Sequence, residues 1–170
     1  NTAMGSLALD TNTTASDNTA MGYNALTANI TGLQNTAVGS LALDANTASN
    51  NTAIGYNALT TNTTGTRNIA MGSYSLQLAT TASDNTAIGF GSLSTNVTGI
   101  RNVAVGSLTL QENITDDNTA IGYNTLCANT TGTRNTAMGS LALDSNTTAS
   151  DNTGVGYNAL TANITGLQNT

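Results

Sequence analysis

Few side chains in this sequence of 170 residues could carry out catalysis. It contains no His, its three basic residues are all Arg, and its only Cys is Cys127. A nucleophile with a neighbouring general base would therefore lack its usual members. We interpret Cys127 as sequence drift, because related segments of the chain most often carry Thr or Asp at that place. The sequence predicts that the protein is not an enzyme and uses no cofactor.

Acidic residues raise two further hypotheses. Asp10, Asp44 and Asp144 occupy one recurring place and could suggest paired carboxylates, but we interpret them as turn residues. Three more acidic residues lie close together in sequence: Glu112, Asp116 and Asp117. A calcium site wants six or more oxygen ligands, and the Gly-rich nonapeptide of calcium-binding β-rolls is absent. We therefore expect no metal.

Charge and hydropathy exclude two classes of partner. Only 7% of the residues are charged and the net charge is −6, with no basic patch. Nucleic-acid binding depends on clustered Lys and Arg, so it is not expected. No apolar run approaches the roughly 20 residues of a membrane span.

The whole sequence is a tandem repeat. Ten segments begin with Asn, eight of them 17 residues long and two of them 16, the short ones spanning 35–50 and 102–117. We number positions within a repeat from that Asn. Unit nine nearly copies unit one, which predicts that 1–170 is a single repetitive segment and a window of a longer chain. The repeats begin at Asn1, Asn18, Asn35, Asn51, Asn68, Asn85, Asn102, Asn118, Asn135 and Asn152.

The repeat columns predict an all-β fold. Position five is always Gly, position nine is always Leu, and no apolar stripe of helical period is sustained. We predict a fibrous parallel β-solenoid, or β-roll, with one repeat per turn; a wider turn of two repeats is the alternative. Ten turns at about 4.8 Å each would form a rod about 48 Å long.

Alternation along a strand places positions two and four on one face, which we interpret as inward. Together with position nine, position four would form a core ladder. Its members would be Met4, Leu9, Met21, Leu26, Val38, Leu43, Ile54, Leu59, Met71, Leu76, Ile88, Leu93, Val105, Leu110, Ile121, Leu126, Met138, Leu143, Val155 and Leu160.

Neighbouring repeats also alternate. Position six carries Ser in odd repeats and an aromatic residue in even ones, so that rings would lie over Ser. All three arginines stand at the last position of even repeats, and the next repeat ends in Asp. Stacking predicts an ion-pair ladder of Arg67, Asp84, Arg101, Asp117, Arg134 and Asp151.

A further column has two interpretations. Positions twelve to fourteen read Asn-x-Thr in eight repeats, and Asn50 adds one such motif outside that column. The motif is the acceptor for N-glycosylation, and it also suits a ladder of stacked Asn amides at positions one and twelve. The candidate glycan sites are Asn12, Asn29, Asn50, Asn62, Asn96, Asn113, Asn129, Asn146 and Asn163.

Regular Thr residues support an alternative function. Flat Thr arrays on β-solenoids are what ice-binding proteins present, and here an Asn rank would be the companion. The Thr rank would consist of Thr14, Thr31, Thr64, Thr81, Thr98, Thr115, Thr131, Thr147 with Thr148, and Thr165.

Two of the repeats resemble those of known protein families. NTAVGSLALDANTASN at 35–50 and NTAIGYNALTTNTTGTR at 51–67 resemble the head repeats of trimeric autotransporter adhesins and the repeats of bacterial and viral tail-fibre-like proteins. The resemblance covers the whole chain, although the 17-residue period is longer than that of the adhesins. It implies a left-handed parallel β-roll, commonly of three chains, that serves adhesion or acts as a spacer.

We therefore expect a structural, extracellular fibre or adhesin-stalk segment at a cell or virion surface. Because each turn offers few apolar side chains, we expect copies to associate, as a homo-oligomer of three chains or as an end-to-end fibre. Position six and position seven form a Tyr/Leu stripe that suits such contact.

Overall fold

The computed structural model describes all residues, 1–170, and contains ten short strands with no helix. None of its elements is a helix long and apolar enough to cross a membrane. Each strand covers positions two to four of a repeat. The strands are β1 Thr2–Met4, β2 Thr19–Met21, β3 Thr36–Val38, β4 Thr52–Ile54, β5 Ile69–Met71, β6 Thr86–Ile88, β7 Val103–Val105, β8 Thr119–Ile121, β9 Thr136–Met138 and β10 Thr153–Val155.

The strands form one parallel sheet in sequence order, β1 to β10. Each residue pairs with the same repeat position in the next turn, so that Thr2 lies beside Thr19 and Met4 beside Met21. The same register holds across the short third repeat, where Thr36 pairs with Thr52. The β-solenoid prediction is confirmed, and one repeat makes one turn; the two-repeat turn is excluded.

Gly at position five permits the bend that ends each strand. Its φ lies between 124° and 139° in the ten turns, a region that side chains with a Cβ rarely enter. A Cβ on Gly5 would lie 2.5 Å from the carbonyl oxygen of Gly22 in the next turn. Close stacking of one backbone on the next therefore excludes every other residue here.

The core is a narrow column of small side chains around one leucine per turn. Leu at position nine is fully buried from Leu26 to Leu143, and Ala at position three is fully buried from Ala20 to Ala137. Every position-nine leucine has a φ between 47° and 54°, a left-handed conformation that costs an L-residue roughly 1–2 kcal/mol. Burying a leucine contributes about 1.5–3 kcal/mol, which offsets that cost.

The prediction that position four lines the core is wrong. Its side chains lie at the surface: Met4 is 62% exposed, Ile54 36% and Met138 43%. Alternation along the strand holds, but its phase is reversed, because Ala at position three points inward. A turn this narrow has room on its strand side only for a methyl group beside the leucine. The exposed or half-buried members of the predicted ladder are Met4, Met21, Val38, Ile54, Met71, Ile88, Val105, Ile121, Met138 and Val155.

The two classes of aliphatic residue should differ in their effect on stability. We expect Leu59→Ala to lower the free energy of unfolding by about 2–5 kcal/mol, because it leaves a cavity that no neighbouring core side chain can fill. Ile54→Ala, five residues earlier on the outer face of β4, should lower it by less than about 1 kcal/mol. Urea unfolding followed by circular dichroism would measure both. Equal losses would contradict the inward assignment of position nine.

Candidate functional site

A column of side chains, charged in seven of the ten turns, runs along the solenoid. This ionic column consists of the last residue of each turn, and it includes the three predicted Arg–Asp pairs. Arg134 donates through Nε to Asp151 Oδ1 at 2.7 Å and through Nη2 to Oδ2 at 2.9 Å. The other pairs are bidentate as well: Arg67 with Asp84 and Arg101 with Asp117. The backbone at these residues is left-handed, with φ near 60°.

The pairs perturb one another's titration. The hydrogen bond from each guanidinium holds the pKa of its carboxyl below the ordinary value at Asp84, Asp117 and Asp151. The Arg side chains are 53–61% exposed, so water and salt screen the attraction and its contribution to stability is small. Placement of the guanidinium groups is the main consequence of the pairing.

Buried asparagines form a ladder in the interior of the turn. The Asn118 backbone N–H donates to Asn102 Oδ1 at 3.0 Å, and its Nδ2 donates to the Gly132 carbonyl at 2.9 Å. Asn129 Nδ2 donates to the same carbonyl at 2.9 Å and to Asn113 Oδ1 at 2.7 Å. The amide ladder at positions one and twelve that the sequence suggested is therefore present. It satisfies backbone groups that a turn this tight would otherwise leave unpaired.

The expected outward glycan column is not formed. Six of the candidate asparagines are fully buried: Asn29, Asn62, Asn96, Asn113, Asn129 and Asn146. Asn12 and Asn163, in the first and last turns, are half-buried and donate to the carbonyls of Ala15 and Gly166. Only Asn50, outside the column, is exposed. A glycan needs an amide nitrogen in solvent, and the ladder uses that nitrogen as a buried donor.

Burial of the position-twelve asparagines also removes the Asn rank that was predicted beside the threonines of an ice-binding face. Most Thr residues at position fourteen are exposed, including Thr31, Thr64 and Thr98, whereas Thr115 there and Thr147 at position thirteen are half-buried. The Asn rank beside them lies in the interior. An Asn/Thr surface therefore does not exist on this side of the solenoid.

The other residues considered for catalysis or metal binding lie apart from one another. No three acidic or sulfur side chains come together in an arrangement that could hold a metal ion. Asp116 accepts from the Ile100 backbone N–H at 2.8 Å, and Asp144 accepts from Asn124 Nδ2 at 2.7 Å. Burial raises the pKa of the Cys127 thiol to about 11, which keeps it protonated and weakly nucleophilic at neutral pH.

The outer side of the sheet is a surface that the sequence interpretation missed. We call it the strand face: the side chains at positions two and four of all ten turns. It presents an aliphatic column beside a column that is Thr except at Ile69 and Val103. All twelve charged residues of the chain lie at positions ten to seventeen and none at positions one to nine. That segregation was readable in the sequence and indicated an uncharged surface.

A column of aromatic rings follows the bend at position five. We call it the aromatic column: Tyr23, Tyr56, Phe90, Tyr123 and Tyr157, which are 45–74% exposed. Ser occupies the intervening turns, as the alternation predicted. Tyr74, at position seven, adds edge-on contacts to Tyr56 and Phe90 at centroid distances of 5.4 and 5.8 Å. Of the leucines in the predicted Tyr/Leu stripe, Leu7 is 45% exposed and the others are half-buried.

Comparison with known proteins does not assign the chain to a family. No family model, no curated protein and no solved structure matches the chain. The fold places the protein among parallel β-solenoids, and its candidate site is an extended surface with no detected pocket.

Substitution of a ladder asparagine should be costly. Asn118→Asp replaces a buried amide donor with a carboxyl group facing the Gly132 carbonyl and Asn113 Oδ1. We expect unfolding to become easier by about 1–3 kcal/mol, the cost of leaving buried polar groups unpaired. The matched control is Asn50→Asp at an exposed asparagine, which should change the free energy of unfolding little. Thermal melts would compare the stability of the two variants. Equal melting midpoints would contradict a stabilising role of the Asn ladder.

Acidification should remove the contribution of the ionic column. A carboxyl whose pKa is lowered in the folded chain stabilises it above the ordinary value of 3.8, and loses that contribution as the pH falls through the folded pKa. A variant with Arg67, Arg101 and Arg134 all replaced by Gln should therefore melt slightly below the wild type at pH 7. The difference should shrink as the pH falls below that ordinary value of 3.8. A difference that persisted in acid would indicate that the arginines stabilise by packing.

Proposed function

We propose that the protein is a structural segment of a surface-exposed fibre in which copies of the chain pack side by side. The role is mechanical, without catalysis or cofactor, and the segment lies outside the cell or on a virion as a rod or spacer. The observation that carries the proposal is the strand face: an aliphatic column that runs through all ten turns with no charged residue at positions one to nine.

The size of this surface supports a partner. Together with the aromatic column at position six, it extends over about 13 Å by about 48 Å, or about 600 Å². Monomeric proteins rarely leave a contiguous apolar patch larger than a few hundred Å² uncovered. With the ionic column at its other edge the surface approaches the roughly 800 Å² per partner of a stable interface.

The thin core supports the same conclusion. Each turn except the last buries one leucine, and the other buried side chains are mostly Ala and Asn, with Ser or Thr in some turns. Burial per residue is therefore low for a chain that must offset its conformational entropy. Covering the strand face with other copies would add the aliphatic residues of position four to a shared interior. Three copies about one axis is the arrangement that the resemblance to trimeric adhesin heads implies.

Ice binding is the second candidate, on a different face from the one that the sequence suggested. The strand face holds Thr in eight of ten turns, in register on a parallel sheet. A regular array of hydroxyl and methyl groups could order water in the same way. The two candidates exclude each other on one surface, because association would cover the threonines.

Charges placed on the strand face should separate the copies. We expect the 170-residue chain to sediment as an oligomer, and a variant carrying Met71→Lys and Ile88→Lys to sediment as a single copy with an unchanged β spectrum. Desolvating two ammonium groups at an apolar contact accounts for this result. The control carries Thr64→Lys and Thr81→Lys on exposed position fourteen and should remain oligomeric.

A wild-type chain that sediments as one copy at high concentration would defeat the assembly proposal. Ice shaping and thermal hysteresis by that single copy would then favour the second candidate. Neither association nor hysteresis would leave both proposals unsupported.

A further inference from the structure

The aromatic column stands on the tips of the tight turns that follow the strands. In eight of the ten repeats the backbone N–H at position eight donates to the carbonyl at position five, at 3.2–3.5 Å. Such a bond closes a β-turn and places positions six and seven at its tip. The rings therefore lie beyond the Gly bend, where they are 45–74% exposed. Copies that pack through positions two and four would leave the rings at the rim of the contact, which keeps access to solvent.

The rings form an array with a regular period. One ring stands on every second turn, because Ser holds position six in the turns between them. At about 4.8 Å per turn, neighbouring rings of the column lie about 9.6 Å apart along the rod, and the five rings extend over about 38 Å. The surface has no detected pocket. A ligand that contacts several rings must therefore be long and must lie along the rod.

Tyr74 fixes the middle of the array. It stands at position seven of turn five, where the other odd turns carry Leu. Its ring contacts Tyr56 and Phe90 edge-on, at interplanar angles of 88° and 83°. Such contacts stabilise pairs of rings, so Tyr56 and Phe90 are held in place before a ligand arrives. Binding groups arranged in advance lower the entropic cost of binding.

Uncharged hydrogen-bonding groups flank the rings. Position seven is Asn in four of the five turns that carry a ring of the column, and position six is Ser between those turns. Asn57 Oδ1 accepts from Thr60 Oγ1 at 3.3 Å, which orients the amide and leaves its nitrogen as a donor. No charged residue occupies positions one to nine, and the net charge of −6 opposes an acidic ligand. The ligand that suits this surface is therefore neutral and polar at its edges.

An extended β-1,4-linked polysaccharide has each of these properties. Its hydroxyl groups lie at the edges of the sugar rings, so the faces of each sugar present C–H groups and pack on aromatic rings. Every second sugar presents the same face, and this two-sugar period is close to the height of two turns, about 9.6 Å. The hydroxyl groups at the edges can exchange hydrogen bonds with Asn amides and Ser hydroxyls.

We propose that the aromatic column binds a neutral, extended β-1,4-linked polysaccharide of the cellulose or chitin type. The polysaccharide lies along the rod with every second sugar on a ring, and the Asn residues at position seven bind the sugar edges. They are Asn24, Asn57, Asn124 and Asn158. This inference goes beyond the proposed function and does not require association, because all of the binding groups belong to one copy.

Removing the rings tests the site. Ser is the residue that position six carries in the other turns, so a variant with Ser in place of all five rings should keep its β spectrum. Depletion of the protein from solution by microcrystalline cellulose and by chitin powder measures binding, and the polymer that depletes the wild type identifies the sugar. We expect each lost ring to weaken binding about 2- to 10-fold. A wild type that neither polymer depletes, or that α-linked starch granules deplete equally well, would overturn the proposal, as would undiminished binding by the Ser variant.

A matched pair of variants tests the period with the number of rings held constant. Both carry Tyr74→Leu, so that the edge-on contacts are absent from each. The first adds only Tyr23→Ser and keeps four rings two turns apart. The second spaces four rings three turns apart through Ser6→Tyr, Tyr23→Ser, Phe90→Ser, Ser107→Tyr and Tyr123→Ser. We expect the second to bind about 2- to 10-fold more weakly, because its rings are out of step with the two-sugar period. Equal binding would overturn the match of periods.

The outcomes separate this inference from the proposed function. The variant with Met71→Lys and Ile88→Lys retains all five rings, and as a single copy it should still bind the polysaccharide. Loss of binding in that variant would overturn the claim that one copy suffices. A wild type that sediments as an oligomer and binds neither polymer would overturn this inference and leave the assembly standing. A single-copy wild type that binds would overturn the assembly alone.

Discussion

Backbone stacking at one repeat per turn is the constraint on which the rest of the molecule depends. Every residue lies beside its own counterpart in the next turn, about 4.8 Å away. A side chain at any position must therefore tolerate near-copies of itself above and below. Gly at position five meets this demand by having no Cβ, and Leu at position nine meets it by stacking in a dry column. Asn meets it because its amide is both donor and acceptor, so that one ladder serves every turn.

Residues that cannot stack on themselves alternate. Aromatic rings alternate with Ser at position six, and Arg alternates with Asp at the last position in the middle of the rod. Like charges on successive turns would repel, whereas the observed order turns the column into bidentate pairs. The same spacing explains why the interior holds so little. A narrow turn accommodates leucine, alanine and buried amides, and its larger aliphatic residues remain on the strand face, where another copy can cover them.

The proposed function follows from this division of the surface. Charges are confined to positions ten to seventeen, the strand face is uncharged, and its two edges carry an ionic column and an aromatic column. A rod with an uncharged face of this kind is suited to the proposed lateral packing. In the proposed fibre the continuous backbone ladder would supply stiffness, and contact with further copies would add apolar burial that a single turn lacks.

The sequence by itself determined the class of fold, the turn length, the ion-pair partners and the Asn ladder. These depend on periodicity alone, because equal positions in successive repeats must lie beside each other. Only the tertiary structure decided which side of each strand faces inward. Alternation fixes that positions two and four share a face, but hydrophobicity favoured Met4 and Ile54 over Ala3 and Ala53 as interior residues. The width of the turn reverses that preference, since a cross-section this narrow admits only a methyl group there. The burial of Asn62 and Asn129 was hidden for the same reason: an acceptor motif for glycans is also the residue pattern that satisfies a buried turn.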